Sequence, residues 1–192
     1  FGEDSNVVRV RADGEFPRQD EDSLISLELT EAALHRPAPA VADTAPLRMG
    51  IDVARRGSDR TVFVLRHGPV AHFVRVRGQT LGTEVVGNAL EIAWEHKVEE
   101  IFIDVVGLGA GPADSLRERL EDQRERWEAH MGLAPAVIEV NAADAPPEPE
   151  PGMPAPRKMR DYLWLAGREW LRGDQASFAG MDAEVAEDLA GE

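Results

Sequence analysis

The stretch that decides the fold is RMGIDVARRGSDRTVFVLRHG, residues 48–68. It begins with an apolar run, breaks at RRGSD, and becomes apolar again at TVFVL. Apolar and β-branched residues on both sides of a turn rich in polar residues predict two consecutive β-strands. Asp52 ends the first strand, where burying a carboxylate is costly unless a partner compensates its charge. This position therefore points either to a cap of the following turn or to a carboxylate that binds a ligand.

Strands and helices continue on the C-terminal side of this stretch. PVAHFVRVRG predicts a third strand, and the tight HGP turn before it predicts an antiparallel hairpin. In residues 82–97 apolar side chains recur at i, i+3, i+4, i+7 and i+8, which predicts an amphipathic helix. EEIFIDVVG and APAVIEV predict the fourth and fifth strands, with one helix over residues 111–130 between them. A last helix is predicted over residues 157–173, and the side chains expected to share one face are those of Met159, Tyr162, Leu163, Ala166 and Trp170.

The order of these elements defines a fold class. Three strands followed by alternating helices and strands predict an α/β protein with a mixed sheet, in which the first three strands are antiparallel and the later ones parallel. Helices are expected on both faces of the sheet, and the order is that of the ribonuclease H-like fold. Residues 6–16 predict a short strand, Ser26 a helix cap, residues 37–46 a linker, residues 141–156 a long proline-rich loop, and Asp182 the cap of an acidic helix.

Composition excludes several classes of protein. The 192 residues include 21 Lys and Arg against 36 Asp and Glu, and the net charge of -15 argues against a globally basic nucleic-acid binder. Residues 47–77 nevertheless carry seven arginines against two aspartates. A polyanion would be attracted to that region alone, unless those arginines are only the solvated faces of exposed strands. The absence of cysteine excludes disulfides and thiolate metal sites, and no apolar run approaches the roughly 18 residues of a membrane span.

Asp52 in GIDVA and Asp104 in IFIDVVG end the first and fourth predicted strands. If these strands are neighbours, both carboxylates project from one edge of the sheet. Two buried like charges are costly unless a cation neutralises them, and oxygen ligands of this kind suit Mg²⁺ or Mn²⁺. Two such ions can act on a phosphodiester. The alternative is that each aspartate only caps its turn.

Other charged residues are candidates for the same site. Asp59 in the first turn is a possible further metal ligand, and it can also cap that turn by itself. Three arginines of the same turn are expected to contact the DNA backbone on either side of the site: Arg55, Arg56 and Arg60. At the start of the last helix Arg157, Lys158 and Arg160 are DNA-binding candidates, unless they form a solvated helix start.

Two further features have structural explanations. GLGAG, residues 107–111, lacks the full dinucleotide-binding fingerprint, and its glycines are expected to let the backbone turn into a helix. The rings of Trp127, Trp164 and Trp170 are expected to pack in the interior rather than stack on bases.

The chain resembles the C-terminal nuclease domain of phage large terminase subunits. GIDVARRGSDRTVFVLRHG is similar to the first nuclease motif of that family, and IFIDVVGLGAGPADSLRE to the second. The opening FGEDSNVVRVRADGEFP and the later DEDSLISLELTEAAL resemble the segment that joins the ATPase to the nuclease, and RKMRDYLWLAGREWL resembles the helix before the final strands. The likeness covers nearly the whole chain. Each motif alone is loose, but four in the right order are specific.

The resemblance implies a function and a set of partners. Residues 1–46 would be a linker from an ATPase domain, and residues 47–192 a ribonuclease H-like nuclease domain that is incomplete at its C-terminus. The family cuts concatemeric double-stranded DNA during viral packaging, in the host cytoplasm, together with the portal and the small terminase subunit. Asp52 and Asp104 would bind two Mg²⁺ or Mn²⁺ ions as catalytic carboxylates. No phosphate-binding loop is present, so this chain is assigned no ATPase activity, and the ATPase domain of the same native chain is expected as a partner.

The resemblance also implies a third acid, which the family carries after further strands. Glu192 ends the sequence before that motif would begin. Asp182, Glu184 and Glu187 match an acidic helix upstream of it and are not assigned to the site. No membrane partner is expected, and the isolated domain is expected to be a monomer.

Two alternatives remain at this stage. One is another enzyme on the same fold, such as a sugar-kinase-like or actin-like phosphotransferase, which would need a second nucleotide-binding domain. The other is a non-catalytic module that docks to the portal or to DNA, in which the aspartates only cap turns. The acidic surface and the absent third carboxylate favour the second of these. It predicts that Asp52→Ala leaves function intact and that no divalent metal binds.

Overall fold

The computed structural model of the chain describes residues 24–42, 44–54, 60–78 and 81–178. The elements in these ranges are helix α1 (Leu27–His35), strands β1 (Leu47–Asp52), β2 (Arg60–His67) and β3 (Val70–Gly78), helix α2 (Gly82–His96), strand β4 (Glu100–Asp104), helices α3 (Ala110–Asp122) and α4 (Arg124–Met131), strand β5 (Ala136–Val140) and helix α5 (Met159–Arg172). The strand predicted in residues 6–16 and the helix predicted after Asp182 lie outside the described residues. Within these ranges no helix has the length and apolar character needed to cross a membrane.

The five strands form one mixed sheet in the order β3-β2-β1-β4-β5. β2 pairs antiparallel with both β1 and β3, whereas β4 pairs parallel with both β1 and β5. The turn between β2 and β3 contains Gly68 with a φ of 56°, a backbone conformation that residues with a Cβ rarely adopt. The predicted hairpin and the predicted mixed sheet are both confirmed.

The hydrophobic core lies between one face of the sheet and helices α2 and α3. Side chains alternate along a strand, so every second residue of the three central strands points into this core. The fully buried or nearly fully buried strand residues are Met49, Ile51, Phe63, Leu65, Ile101 and Ile103. The predicted face of α2 is confirmed, because Val86, Ala89 and Ala93 are buried and Leu90 and Trp94 are partly buried against the same core. The core therefore fixes which side chains of β1 and β4 face away from it.

One prediction about the helices was wrong. Residues 111–130 were expected to form one helix, but the chain bends at Gln123, which separates α3 from α4. Gln123 has a φ of -112° and a ψ of 17°, outside the helical range. The bend accompanies the burial of Trp127, which is 3% exposed and lies edge-on against Trp94 with ring centroids 4.9 Å apart. The pattern of charged residues that predicted one helix continues through Gln123, but the packed protein has two helices there.

The last predicted helix is confirmed as α5, but its buried residues are not those predicted to share one face. Leu165 and Leu171 are the buried residues of this helix, whereas Leu163 is 45% and Trp164 57% exposed. Trp164 is therefore not an interior packing residue. Apolar residues occur on more than one side of α5, so their spacing alone did not decide which side the rest of the protein would cover.

Helix α1 is held by the segment that follows α5. Ser26 caps α1 by accepting a hydrogen bond from the N–H of Leu29, as expected. The N–H of Phe178 donates to the carbonyl oxygen of Ala33 at 3.0 Å. The hydroxyl of Ser177 donates to the carbonyl oxygen of Arg36 at 2.7 Å. The described part of residues 24–46 therefore contacts the segment after α5. The assignment of residues 1–46 to a linker stays a prediction.

Candidate functional site

Asp52 and Asp104 lie side by side at the carboxyl edge of the sheet. Ile51 of β1 and Ile103 of β4 are partners in the parallel ladder, and the aspartates occupy the next position on each strand. Neighbouring strands run about 4.8 Å apart. Because Ile51 and Ile103 face the core, both aspartates face away from it. The predicted adjacency of the two strands is confirmed, and their carboxylates share one edge and one face of the sheet.

The turn after β4 fixes the position of Asp104. Its Oδ1 accepts a hydrogen bond from the N–H of Val106 at 2.8 Å, so this aspartate does cap its turn. A Cβ on Gly109 would lie 1.7 Å from the carbonyl oxygen of Asp104, which only glycine permits. Gly107 in the same turn has a φ of 94°. The prediction that these glycines let the backbone turn into a helix is confirmed, and the turn cap leaves Oδ2 of Asp104 for another ligand.

The β1–β2 turn carries the other predicted charges. Asp52 is exposed at its start. The two ends of the turn are tied together by Thr61, which is fully buried and whose hydroxyl accepts a hydrogen bond from the N–H of Ala54 at 3.1 Å. Arg60 is the first residue of β2 and is exposed. It precedes Val62, the ladder partner of Asp52, by two positions. Arg60 thus lies on the same face and at the same edge as Asp52. Three predicted residues lie outside the described residues: Arg55, Arg56 and Asp59.

The first turn of α5 is attached to the same edge of the sheet. Val140 ends β5 as the ladder partner of Asp104, and Asn141 follows it. The N–H groups of Met159 and Arg160 donate to the carbonyl oxygens of Asp144 and Ala142, at 2.8 and 3.1 Å. The loop after β5 therefore brings the start of α5 close to the carboxyl ends of the parallel strands.

Arg157 and Lys158 are placed at this edge as a result. Both are exposed, and their backbone N–H groups each donate to Oδ2 of Asp161 at 3.1 Å. This bond caps the start of α5 and leaves both cationic side chains at the surface. Of the predicted DNA-binding residues, the structure thus brings Arg60, Arg157 and Lys158 to the edge that carries the two aspartates. Their contact with DNA stays a prediction.

Asn141 is a polar residue at this edge that the sequence analysis missed. It directly follows the strand beside Asp104, and its Oδ1 accepts a hydrogen bond from the N–H of Ala143 at 3.0 Å. The available signal was its place immediately after a predicted strand, one position beyond the strand end that Asp52 and Asp104 occupy on β1 and β4. It was read as the first residue of the proline-rich loop.

The donor set at this edge suits a hard divalent cation. Asp52 and Asp104 supply carboxylate oxygens, which are the ligands that Mg²⁺ and Mn²⁺ prefer. In residues 24–42, 44–54, 60–78 and 81–178 no group of three or more histidine, aspartate or glutamate side chains is close enough to hold a metal ion. The described residues therefore bring two carboxylates to this edge, and their role as metal ligands stays a prediction. Asp182, Glu184 and Glu187 lie outside them.

The fold is ribonuclease H-like, and the chain is similar to solved structures of phage proteins. No protein-family model matches the chain, and no curated protein sequence does. Nuclease domains of phage large terminase subunits share its mixed sheet and helices over most of its length.

Three of these structures define the likeness. A mutant nuclease domain of the large terminase subunit gp2 of bacterial virus Sf6, with manganese and beta-thujaplicinol, has a TM-score of 0.57 and 16% identity and covers 88% of this chain and 80% of its own. A mutant gp2c from the same phage, with calcium, has a TM-score of 0.60 and 18% identity over 88% and 80%. The large terminase nuclease of thermophilic phage G20c, with bound magnesium, has a TM-score of 0.55 and 11% identity over 89% and 80%. Structural similarity at identities this low shows the fold alone, and residue roles stay predictions.

Proposed function

We propose that this chain is the nuclease domain of a viral DNA-packaging terminase, a metal-dependent endonuclease that cuts concatemeric double-stranded DNA. The observation that carries the proposal is the placement of Asp52 and Asp104 side by side at the edge of β1 and β4. Two further observations support it: the fold is that of terminase nuclease domains, and structures of those domains hold manganese or magnesium.

Metal-dependent hydrolysis of a phosphodiester would require the two aspartates to bind the metal ions together. Asp52 and Asp104 would hold two Mg²⁺ or Mn²⁺ ions through their carboxylate oxygens. When bound, such ions supply an activated water for attack on phosphorus and neutralise charge on the departing 3′ oxygen. The protein's own contribution is to hold the carboxylates in place. The hydrogen bond from the N–H of Val106 and the close approach at Gly109 do this for Asp104.

The cations at the same edge would position the DNA backbone. Arg157 and Lys158 at the start of α5 are exposed, and Arg60 lies beside Asp52. Contacts from arginine and lysine to phosphates fix the register of a protein on DNA without reading its sequence. Together with Arg55 and Arg56, these side chains would hold the duplex with little sequence preference.

A second candidate function is a non-catalytic module that docks to DNA or to the portal of the packaging motor. Two observations favour it: the described residues hold no group of three acids suited to a metal, and the chain carries a net charge of -15. In such a module Asp104 would serve only as the cap of its turn, a bond that the structure contains. The module would bind its partner without divalent metal and would not cleave DNA.

The proposed context follows from the proposed function. The domain would act in the host cytoplasm during phage assembly, joined to the ATPase domain of the same native chain and working with the portal and the small terminase subunit. The isolated chain would be a monomer. Sedimentation equilibrium tests this last point, and a dimer at micromolar concentration would contradict it.

Nicking of supercoiled plasmid in Mn²⁺ tests the proposed function. We expect the wild-type chain to nick and Asp52→Asn to be inactive. Asp122→Asn is the matched control, because Asp122 is an exposed aspartate at the end of α3, on the opposite side of the sheet. Equal nicking by wild type and Asp52→Asn would remove Asp52 from the mechanism. Absence of metal-dependent nicking by the wild type, with duplex binding retained, would favour the non-catalytic module.

A further inference from the structure

Arg48 and Arg66 are direct partners in the antiparallel ladder of β1 and β2, and both point away from the core. Nε of Arg48 donates to Oε2 of Glu100 at 2.6 Å, and Nε of Arg66 donates to the carbonyl oxygen of Gly68 at 3.0 Å. The terminal guanidinium nitrogens of both arginines have no acceptor among the described residues. Two cations thus lie side by side, and the carboxylate of Glu100 lies on the far side of Arg48 from Arg66.

Trp170 of α5 lies beside this pair. Its ring lies beside the Arg66 guanidinium, which is 5.6 Å from the ring centroid. Its indole Nε1 is buried and, in the part of the chain that the structure describes, has no hydrogen-bond partner. A buried N–H group without an acceptor is uncommon in folded proteins and calls for an explanation.

These three side chains line one cavity of about 300 Å³ together with Pro46, Gly68 and Pro69. The side chains of the lining supply N–H donors and no carboxylate. Burial, and then the neighbouring charge of Arg48, lowers the pKa of Arg66 below its ordinary value. Arg66 nevertheless remains a cation at neutral pH. The cavity is therefore suited to an anion that carries several acceptor oxygens.

The cavity lies on the sheet face that carries the two aspartates. Arg48 and Asp52 are four residues apart on β1 and project to the same side, a separation of roughly 13 Å. Gly50 lies between them, and a Cβ placed on it would meet no atom within 4 Å. Since the phosphates of one DNA strand are spaced about 3.4 Å along the helix axis, the cavity is a few nucleotides away from the carboxylate edge.

We propose that Arg48, Arg66 and Trp170 form an oxyanion site that binds a backbone phosphate of duplex DNA lying across this face. The inference rests on the proposed function, because the aspartates give the DNA its reason to lie there. The terminal nitrogens of Arg66 and Arg48 would bind the phosphate oxygens, and the ring of Trp170 would form the wall of the site beside Arg66. The site would hold the strand at a distance from the point of cleavage.

Binding of a 20-base-pair duplex in EDTA tests the inference without metal or cleavage. We expect Arg66→Gln to weaken the affinity about tenfold and to lower the slope of log affinity against log salt by about 0.9, the loss of one phosphate contact. Arg119→Gln removes the same charge from an exposed position on α3, across the sheet, and should leave both quantities unchanged. Equal affinities for wild type and Arg66→Gln would overturn the proposal. Weaker binding counts as support when both proteins unfold at the same denaturant concentration, and weaker binding that only follows a loss of fold counts against it.

The indole N–H resonance of Trp170, identified by its absence in Trp170→Phe, separates the sources of the anion. A shift on addition of duplex, together with weaker binding by Arg66→Gln, supports the proposal. A shift with inorganic phosphate but not with duplex would show a free-anion site and overturn it. A shift only with glutamate-rich peptide would assign the cavity to a protein carboxylate and also overturn it. A chain that nicks DNA but shows no Arg66 dependence refutes this inference alone, whereas a chain that neither nicks nor binds duplex refutes the proposed function.

Discussion

Asp52 and Asp104 occupy neighbouring positions on two parallel strands, one residue beyond the paired Ile51 and Ile103. Residues that act as one ligand set lose function together, so their effects on activity are not additive. We expect Asp52→Asn and Asp104→Asn each to slow Mn²⁺-dependent nicking by at least about 100-fold, more than outer-shell partners of metals usually cost. The double variant should be no slower than either single one.

The Asp104→Asn variant is informative because it should keep the fold of the wild type. The amide oxygen of asparagine can still accept the hydrogen bond from the N–H of Val106. Single-turnover nicking rates and urea unfolding of the same samples make the comparison. If the nicking rate of the double variant falls by the product of the two single-variant factors, the aspartates act independently.

Gly109→Ala should destabilise the protein and impair the site. The new Cβ would collide with the carbonyl oxygen of Asp104, so the backbone of the turn must move. We expect a loss of roughly 2–4 kcal/mol in the free energy of unfolding, the range of severe single substitutions. Gly111→Ala is the matched control, since its Cβ would meet nothing within 4 Å in a helix. It should stabilise by about 0.5–1 kcal/mol. Urea denaturation checks both values, and equal effects would show that the turn tolerates a side chain.

Two tryptophans should differ sharply in their contribution to stability. Trp127 is 3% exposed, and removing its ring leaves a cavity beside Trp94. Trp127→Ala should therefore cost about 3–5 kcal/mol. Trp164 is 57% exposed, and Trp164→Ala should change the free energy of unfolding by less than about 0.5 kcal/mol. A large loss from Trp164→Ala in guanidinium denaturation would mean that its ring is covered.

His72 should make the protein less stable in mild acid. Burial, and then the charge of His96, lowers the pKa of His72 below its ordinary value of 6.5. The unfolded chain then binds the proton more readily than the folded one. The contribution of neutral His72 to the free energy of unfolding is thus fully present above pH 6.5. It is lost as the pH falls through the lower pKa of the folded chain. Urea unfolding from pH 7.5 to 5 should show a smaller decline for His72→Gln than for wild type or for His35→Gln, which alters an exposed histidine. Parallel declines in all three would exclude His72 as the cause.

The sequence predicted the sheet well because its signals are local. Strand alternation, the HGP turn and the spacing of α2 each lie within a few residues, and the order of elements then places β1 beside β4. The adjacency of Asp52 and Asp104 followed from that order. The bend at Gln123 and the exposure of Trp164 could not be predicted in the same way. Both depend on contacts between distant segments, such as that between Trp127 and Trp94.

The cavity at Arg48 and Arg66 shows the same limit. Their meeting depends on the register between β1 and β2, and the third lining side chain, that of Trp170, is more than one hundred residues away in the chain. Spacing within the sequence carries no information on such a contact. Asn141 is a different case, because a single polar residue after a strand is too common to be assigned to a site without the topology.

Mn²⁺ binding followed by electron paramagnetic resonance tests the central claim most directly, because it needs neither DNA nor catalysis. We expect the wild-type chain to bind the ion, and Asp52→Asn and Asp104→Asn each to weaken binding by at least about tenfold. Asp122→Asn should bind as the wild type does. Binding that is the same in all four proteins, or absent from the wild type, would contradict the claim that Asp52 and Asp104 form a metal site.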